Sequence, residues 1–277
     1  MNHTPPIAGI QDYTHGHQAA VLNAHADRSA TNSCHYFLDR IDKGQRILDL
    51  GCGPGSITLD LAELVGPQGH VVGVDFSAEA IALAENEARS RGVRSAEFMV
   101  GDLFHLNLEP HSFDIVHAHQ VLQHLPDPVS ALKIMRDLCI PGGLIAVRDA
   151  DYAGMTWYPE LAGISHWLTI YCASARKVNA EPNTGRYLRA WANAAELTIT
   201  YIGSSTWTYA TPERTRQWGN SQADRVLHSS FARHALESGL QAADLERIAA
   251  DWRSWGAHPD ACFILPHGEL LATPSIP

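Results

Sequence analysis

The sequence predicts an α/β fold built on a doubly wound parallel sheet, and three observations predict it. Short apolar strands alternate with helical stretches from Arg46 to Arg148. A glycine-rich turn directly follows the first strand and opens the next helix. An acid closes the second strand. Alternation of this kind gives parallel pairing through right-handed crossovers. These crossovers put the strand C-termini and their loops on one edge, where ligands bind.

The elements follow in order. From His17 to Arg40 the apolar positions Ala20, Val21, Ala24, Tyr36 and Phe37 recur at helical spacing. Arg46–Leu50 (RILDL) reads as a strand ending in glycines, and Ser56–Val65 as a helix with Ile57, Leu61 and Leu64 on one face. His70–Val74 is the second strand and Ala78–Arg91 an Ala/Glu-rich helix; Ala96–Val100 and Phe113–His117 are further strands. Pro128–Leu138 is an amphipathic helix, Pro141–Gly143 a turn and Leu144–Arg148 a strand.

Beyond Asp149 the rhythm changes. Met155–Ala180 is helical and rich in aromatics, and Leu197–Ala210 has the Thr, Ile, Tyr and Trp composition of a strand. Thr211–Trp255 returns to helix, and Ala261–Ala272 reads as a last strand broken by Pro266 and Gly268. The expectation is a Rossmann-like, seven-stranded doubly wound sheet with helical cap insertions, in a single domain over 1–277. It divides into an N-terminal helical lid (1–44), a ligand-binding core (45–150) and C-terminal strands carrying a helical cap (151–277).

Composition narrows the class. The 277 residues are 45% hydrophobic and 18% charged, which excludes wholesale disorder. Twenty Lys and Arg against thirty Asp and Glu give a formal charge of −10. With no basic cluster, nucleic acid and anionic membrane surfaces are disfavoured as partners. Sixteen histidines shrink that charge below neutrality. No run of about eighteen apolar residues is present to span a membrane. The start MNHTPPIAGIQDYTHGH lacks the basic and apolar regions of a signal peptide. Cys34, Cys52, Cys139, Cys172 and Cys262 are widely spaced, so neither a disulfide scaffold nor a zinc site is expected, and a reducing cytoplasm fits.

The sharpest signal is ILDLGCGPGS, residues 47–56. Gly51, Gly53 and Gly55 let the backbone turn tightly and let a ligand approach the following helix amides. A dinucleotide loop spaces its glycines as G-x-G-x-x-G, and a phosphate loop needs Gly-Lys-Ser/Thr. Neither is present. Asp75, in VVGVDFS, is placed to accept both hydroxyls of a ribose. Loop and acid together specify a nucleoside ligand without strong need for phosphate.

Here the sequence resembles the class I S-adenosylmethionine-dependent methyltransferases, over residues 45–150. LDLGCGPG, VVGVDFS and GDLFHL (101–106) match three family motifs in order. FDIVHAHQVLQHLPDPVSAL (113–132), followed by PGG, resembles the ubiquinone/menaquinone-biosynthesis subgroup. YTHGHQAAVLNAH (13–25) resembles the N-terminal helix that covers the methionine end.

The resemblance implies S-adenosylmethionine as cofactor, with S-adenosylhomocysteine as product. Gly51, Gly53 and Gly55, with Cys52 among them, would pass under the methionyl part, and Asp49 would lie near its amino group. Asp75 would hold the ribose and Phe76 lie on the adenine. Gly101, Asp102 and Leu103 would sit at the adenine edge. His119 and Gln120 would approach the methionine end, and Tyr13 the carboxylate.

Methyl transfer is an in-line displacement needing alignment, exclusion of water and, for some acceptors, a base. Candidates after the fourth and fifth strands are His119, His124, Asp149, Asp151 and Tyr152. His117 and His119 alternate along a strand end, but no third ligand accompanies them and no metal is expected. The cap offers Trp157, Tyr158, Arg186, Trp207 and Trp218 for a flat acceptor, although most of its aromatics, Trp167, Tyr209, Trp252 and Trp255 included, suit packing equally.

The leading reading is methylation of a small aromatic or heteroaromatic molecule on carbon, oxygen or nitrogen. The subgroup tilts this toward a ring carbon of a quinol precursor, phenol or indole, in quinone or specialised metabolism. A non-catalytic S-adenosylmethionine-binding regulator and an NAD-dependent oxidoreductase stand as alternatives. The oligomeric state, a homodimer included, stays open.

Overall fold

The computed structural model describes residues 28–275; Tyr13, the segment 13–25 and the start of the expected first helix lie outside them. Within the described residues, the expected helix to Arg40 is instead a short α1 (Ala30–Ser33), capped by Ser29, and a 3-10 turn at Leu38–Arg40.

Five parallel strands form the core of the sheet: β1 (Arg46–Leu50), β2 (His70–Asp75), β3 (Ala96–Val100), β4 (Phe113–His119) and β5 (Cys139–Ala150). The connecting helices are α2 (Ser56–Val65), α3 (Ala78–Arg91) and α4 (Pro128–Leu138). Local chemistry sets their ends. Ser77 accepts from the Ala80 amide and starts α3, and Gly92 in the left-handed region ends it. Asp127 caps α4, with Pro128 in its first turn. Each such cap contributes about 1 kcal/mol.

Three strands complete the sheet. They are β6 (Thr156–Tyr158), β7 (Leu197–Tyr209) and β8 (Cys262–Pro274). Without the short β6, the order is β3-β2-β1-β4-β5-β8-β7, with β8 antiparallel to both neighbours. The seven expected strands are therefore present, and β6 is added to them. It pairs with Cys262–Ile264 and continues the line of β5 beside β8. Sequence reading put these residues in a helix. Pro159 explains the difference, because the residue before a proline is pushed out of the helical region, and Trp157 and Tyr158 favour extended backbone.

The helical stretch after it is α5 (Ala162–Lys177), followed by α6 (Thr184–Ala194). The expected long helix over Thr211–Trp255 is three: α7 (Pro212–His228), α8 (Ser230–Glu237) and α9 (Ala242–Ala257). Ser229 ends the first and caps the second, and Gly239 at φ 97° breaks the chain before the third.

Strand β8 is not broken at Pro266. Asp151 N donates to Pro266 O at 3.0 Å, so that side of Pro266 faces the gap between β5 and β6. A residue's N–H and C=O point the same way in an antiparallel strand, so the missing donor costs no ladder bond. Gly268 is needed for another reason: a Cβ there would collide with the backbone of Gly185, where α6 crosses the strand.

Three apolar clusters surround this frame. One face of the sheet packs Leu48, Val116 and Val147 against α4 and α6. The other packs Ile47, Ile115 and Ala146 against Cys34, Phe37 and α2. The cap has its own core of Trp252, Trp255, Phe263, Trp167 and Tyr171. No helix among the described residues is long and apolar enough to cross a membrane.

Candidate functional site

The loop after β1 carries all three glycines at positive φ: Gly51 at 67°, Gly53 at 55° and Gly55 at 82°. A side chain at Gly51 would run into Val121, so the loop after β4 fits against the loop after β1 only over a bare backbone. Gly53 N donates to Asp75 Oδ2 at 2.9 Å and Ser77 N to Asp75 Oδ1 at 2.9 Å. These amides fix the half-buried carboxylate at the end of β2, where two vicinal ribose hydroxyls would need an acceptor. Beyond it Phe76 is 41% exposed and Val100 53% exposed, apolar surface at a polar edge.

Asp102 caps the 3-10 turn Leu103–His105. Its Oδ1 takes Phe104 N at 3.0 Å, and its Oδ2 meets His105 Nδ1 at 2.7 Å. Gly101 N donates to Asp75 O, tying the third strand end to the second, while Leu103 packs partly buried on the core. Cys52 is buried in the loop, where burial, then Asp49 and Asp75, hold its thiol well above the usual range. These residues fit an adenosyl ligand: a carboxylate at the strand end, an apolar shelf beside it and a glycine floor.

Asp49 also has interior partners. It is buried, its Oδ1 pairs with His117 Nδ1 at 2.7 Å and its Oδ2 takes Thr58 Oγ1 at 2.6 Å. His117 Nε2 lies 3.5 Å from Cys34 Sγ. Burial lowers the His117 pKa, but Cys34 and Asp49 outweigh it and raise the imidazole to about 10. Each Asp49 oxygen thus has one partner in the interior.

Strand register continues this polar row. Asp49 lies beside His117, and His119 beside Arg148, which lies beside Glu269. Lateral neighbours share a face of the sheet, so His117, His119, Arg148 and Glu269 all look toward the segment 28–40. Strand β4 runs two residues beyond its expected end, which puts His119 on the sheet itself. His119 is 4% exposed, and neither ring nitrogen has a partner among the described residues. Its ring lies 5.5 Å from Trp207 and 6.1 Å from His267. Burial, then Arg148 and Arg28, hold its pKa well below the ordinary imidazole value, so the ring is neutral.

Gln120 follows in the left-handed region at φ 55°, a conformation that costs a non-glycine residue about 1 kcal/mol. Its carbonyl oxygen accepts from Arg28 Nη2 at 2.7 Å, and its amide meets His267 Nε2 at 2.6 Å. Trp207 sends its indole N–H to Asn32 O at 3.0 Å, with Arg28 and Arg148 over its ring.

The remaining candidates separate from this group. Asp149 adjoins Arg148 and so faces the other side of the sheet. There its Oδ1 takes Gln123 N at 3.2 Å, holding the turn Leu122–His124, while its Oδ2 has no partner among the described residues. Burial raises Asp149 to about 7, against the amides of Gln123, Leu122 and Val121. His124 meets the Gln123 amide at 3.0 Å, and burial, then Arg28, lower it to about 3. Asp151 caps the turn Tyr152–Gly154 and is held by both Arg186 Nε at 2.7 Å and Arg186 Nη2 at 2.6 Å, so these two expected site residues neutralise each other. Tyr152 stacks on Tyr171 at 4.3 Å in the cap core. Trp157 stacks on Phe263 at 6.0 Å and Trp218 on Tyr209 at 4.3 Å. Tyr158 is 57% exposed.

Sequence reading missed Arg28, Gln123, His267 and Glu269 as site residues. The alternation His267-x-Glu269 in the last strand was the available signal, since it puts both on one face. No group of three or more His, Cys, Asp or Glu that could hold a metal ion occurs among the described residues.

Residues 41–215 match the family described as a methyltransferase domain. An uncharacterised methyltransferase of Schizosaccharomyces pombe is 33% identical, over 94% of this chain and 95% of its own. Demethylmenaquinone methyltransferase of Geobacillus stearothermophilus is 36% identical, but over only 44% of this chain and 52% of its own. The structure of geranyl diphosphate methyltransferase in complex with S-adenosylmethionine covers 97% of this chain and 94% of its own. Its TM-score is 0.54 at 17% identity, a likeness of fold. With the glycine loop, the acid at the end of β2 and this match over most of its length, the chain belongs to the class I S-adenosylmethionine-dependent methyltransferases.

Proposed function

We propose that the chain methylates a small planar acceptor, aromatic or heteroaromatic, bound between the end of β4 and Trp207. The observation that carries this reading is His119: a neutral, buried imidazole with both nitrogens unpartnered among the described residues, beside an indole face. Bound at the glycine loop, Asp75 and Asp102, S-adenosylmethionine supplies a methyl group already activated by its sulfonium. His119 then has two tasks. Its bare nitrogen takes a proton from the acceptor, and its N–H orients the acceptor oxygen or ring. Trp207 offers a flat wall, and the segment 28–36 covers the polar row and keeps water from it. A weakly nucleophilic ring carbon, phenol or indole needs such a base more than a thiol does.

The test is transfer of labelled methyl from S-adenosylmethionine to a panel of phenols, quinols and indoles, with the labelled atom identified by mass spectrometry. Label on a ring carbon, oxygen or nitrogen is the expected result. His119→Ala is expected to lower kcat about 10²-fold while the affinity for S-adenosylhomocysteine stays within about threefold. Full turnover by that variant would overturn the assignment.

A further inference from the structure

The polar row beneath the segment 28–40 holds unmet donors besides His119. The Tyr36 hydroxyl and Arg148 Nη1 are both buried without a hydrogen-bond partner among the described residues. Tyr36 packs with the cluster of Ile47, Ile115 and Ala146 on that face of the sheet, its ring edge-on to Phe37 at 5.1 Å. Arg148 is 1% exposed, lies beside His119 across β4 and β5, and stands 5.1 Å from the centre of the Trp207 ring. Burial, then Cys34, hold the Tyr36 phenol well above its usual range, with Arg148 pulling the other way, so the hydroxyl keeps its proton.

Packing alone gives no reason for that hydroxyl. A buried O–H without an acceptor costs free energy that phenylalanine would avoid with the same ring. A ligand that supplies the acceptor removes the cost when it binds. The groups also select the ligand. Glu269 meets the charge of Arg148, its Oε1 lying 3.4 Å from Arg148 Nε, and Nε itself donates to Ser205 Oγ at 3.1 Å. The occupant therefore needs no charge of its own. Tyr36 and Arg148 call for lone pairs, and the bare nitrogen of His119 calls for a proton. A hydroxyl carries two lone pairs and one proton. A carboxylate or carbonyl has no proton for His119, and a neutral aryl amine has a single lone pair for two donors.

We infer that Tyr36 and Arg148 hold the hydroxyl of an aryl acceptor against His119, its oxygen taking the Tyr36 O–H and Arg148 Nη1. The inference deepens the proposed function and rests on its reading of His119. When His119 takes the proton, the O–H bond breaks and its electron pair stays on oxygen. The two donors then stabilise the charge that forms there.

The experiment is calorimetric titration of the full chain, saturated with S-adenosylhomocysteine, with two matched pairs: 2-naphthol against 2-methylnaphthalene, and 5-hydroxyindole against 5-methylindole. In each pair a methyl group replaces the hydroxyl at nearly equal size. At least one hydroxyl compound is expected to bind about tenfold more tightly than its partner, and Tyr36→Phe to remove most of that advantage. The variant is expected to bind S-adenosylhomocysteine within about twofold of the native chain and to unfold in urea at the same or a higher midpoint. A lowered midpoint would show the hydroxyl bonded within the chain itself and would overturn the subsite. Equal binding within both pairs, or an advantage untouched by Tyr36→Phe, would overturn it too. So would a large loss of S-adenosylhomocysteine affinity in that variant, which would assign the hydroxyl to the cofactor. None of these readings depends on turnover. Absence of binding by all four compounds would overturn the subsite together with the acceptor site. Methyl transfer to no acceptor, with the binding difference intact, is the separate failure of the proposed function.

Discussion

The cofactor edge and the polar row beside it share one end of the sheet but are built from different material. The cofactor edge is backbone: glycines at positive φ, and two half-buried carboxylates held by loop amides. The polar row is side chain, buried between the sheet and residues 28–40, and drawn from six separate segments. The first resembles a socket that stands whether or not it is filled. The second is part of the interior, so its chemistry and the stability of the fold rest on the same residues.

The largest effect that tests this contrast is in the polar row. His117→Ala leaves Asp49 buried with one of its oxygens unpaired, and is expected to cost about 3–5 kcal/mol in urea unfolding. The pH dependence has a defined sign. The folded imidazole is raised to about 10 from an ordinary 6.5. The stability that its charge contributes is fully present below 6.5 and lost as pH rises through about 10. The gap between the native chain and His117→Gln is expected to narrow over that window. A gap constant from pH 6 to pH 10 would show that the imidazole is buried neutral.

At the cofactor edge the order of effects reverses. Asp75→Ala removes two acceptor positions for a ribose, and is expected to weaken S-adenosylhomocysteine about 10²-fold by calorimetry while unfolding stability falls by only about 1 kcal/mol. Asp75→Asn keeps one good acceptor and is expected to lose about tenfold. Unchanged affinity in Asp75→Ala would remove this residue from the site. A stability loss as large as that of His117→Ala would erase the distinction between the two regions.

The same contrast explains what could be read from the sequence. A backbone site is written in local order, so LDLGCGPG, the acid at the end of the second strand and GDLFHL declare themselves between Leu48 and Leu106. Parallel alternation is local in the same way, and the five-stranded core followed from it. The polar row has no local order. Arg28 and His267 meet Gln120 from opposite ends of the chain, and only strand register puts Arg148 beside His119. Asp49 illustrates the limit: its motif position implies the cofactor's amino group, but not that His117 and Thr58 each meet one of its oxygens. In the cap, the helix expected through Trp157 gave way to a strand because pairing with β8 outweighed a helical pattern that Pro159 had already ended.

Asp149 tests how sharply the sheet divides its two faces. It adjoins the polar row in sequence yet points away from His119, and its buried carboxyl is raised to about 7 from an ordinary 3.8. For an acid raised in this way, stability is fully present below 3.8 and falls as pH rises through about 7, because folding then buries an ionised group. Asp149→Asn keeps an acceptor for the Gln123 amide and removes that ionisation. Its stability relative to the native chain is expected to improve by about 2 kcal/mol between pH 5.5 and pH 7.5 in thermal or urea unfolding. Because the base proposed here is His119 on the opposite face, the pH profile of methyl transfer is expected to keep its shape in this variant. A profile that loses an ionisation near 7 would move the proton-accepting role across the sheet to Asp149, and a flat stability difference would show that its carboxyl is not buried in ionised form at all.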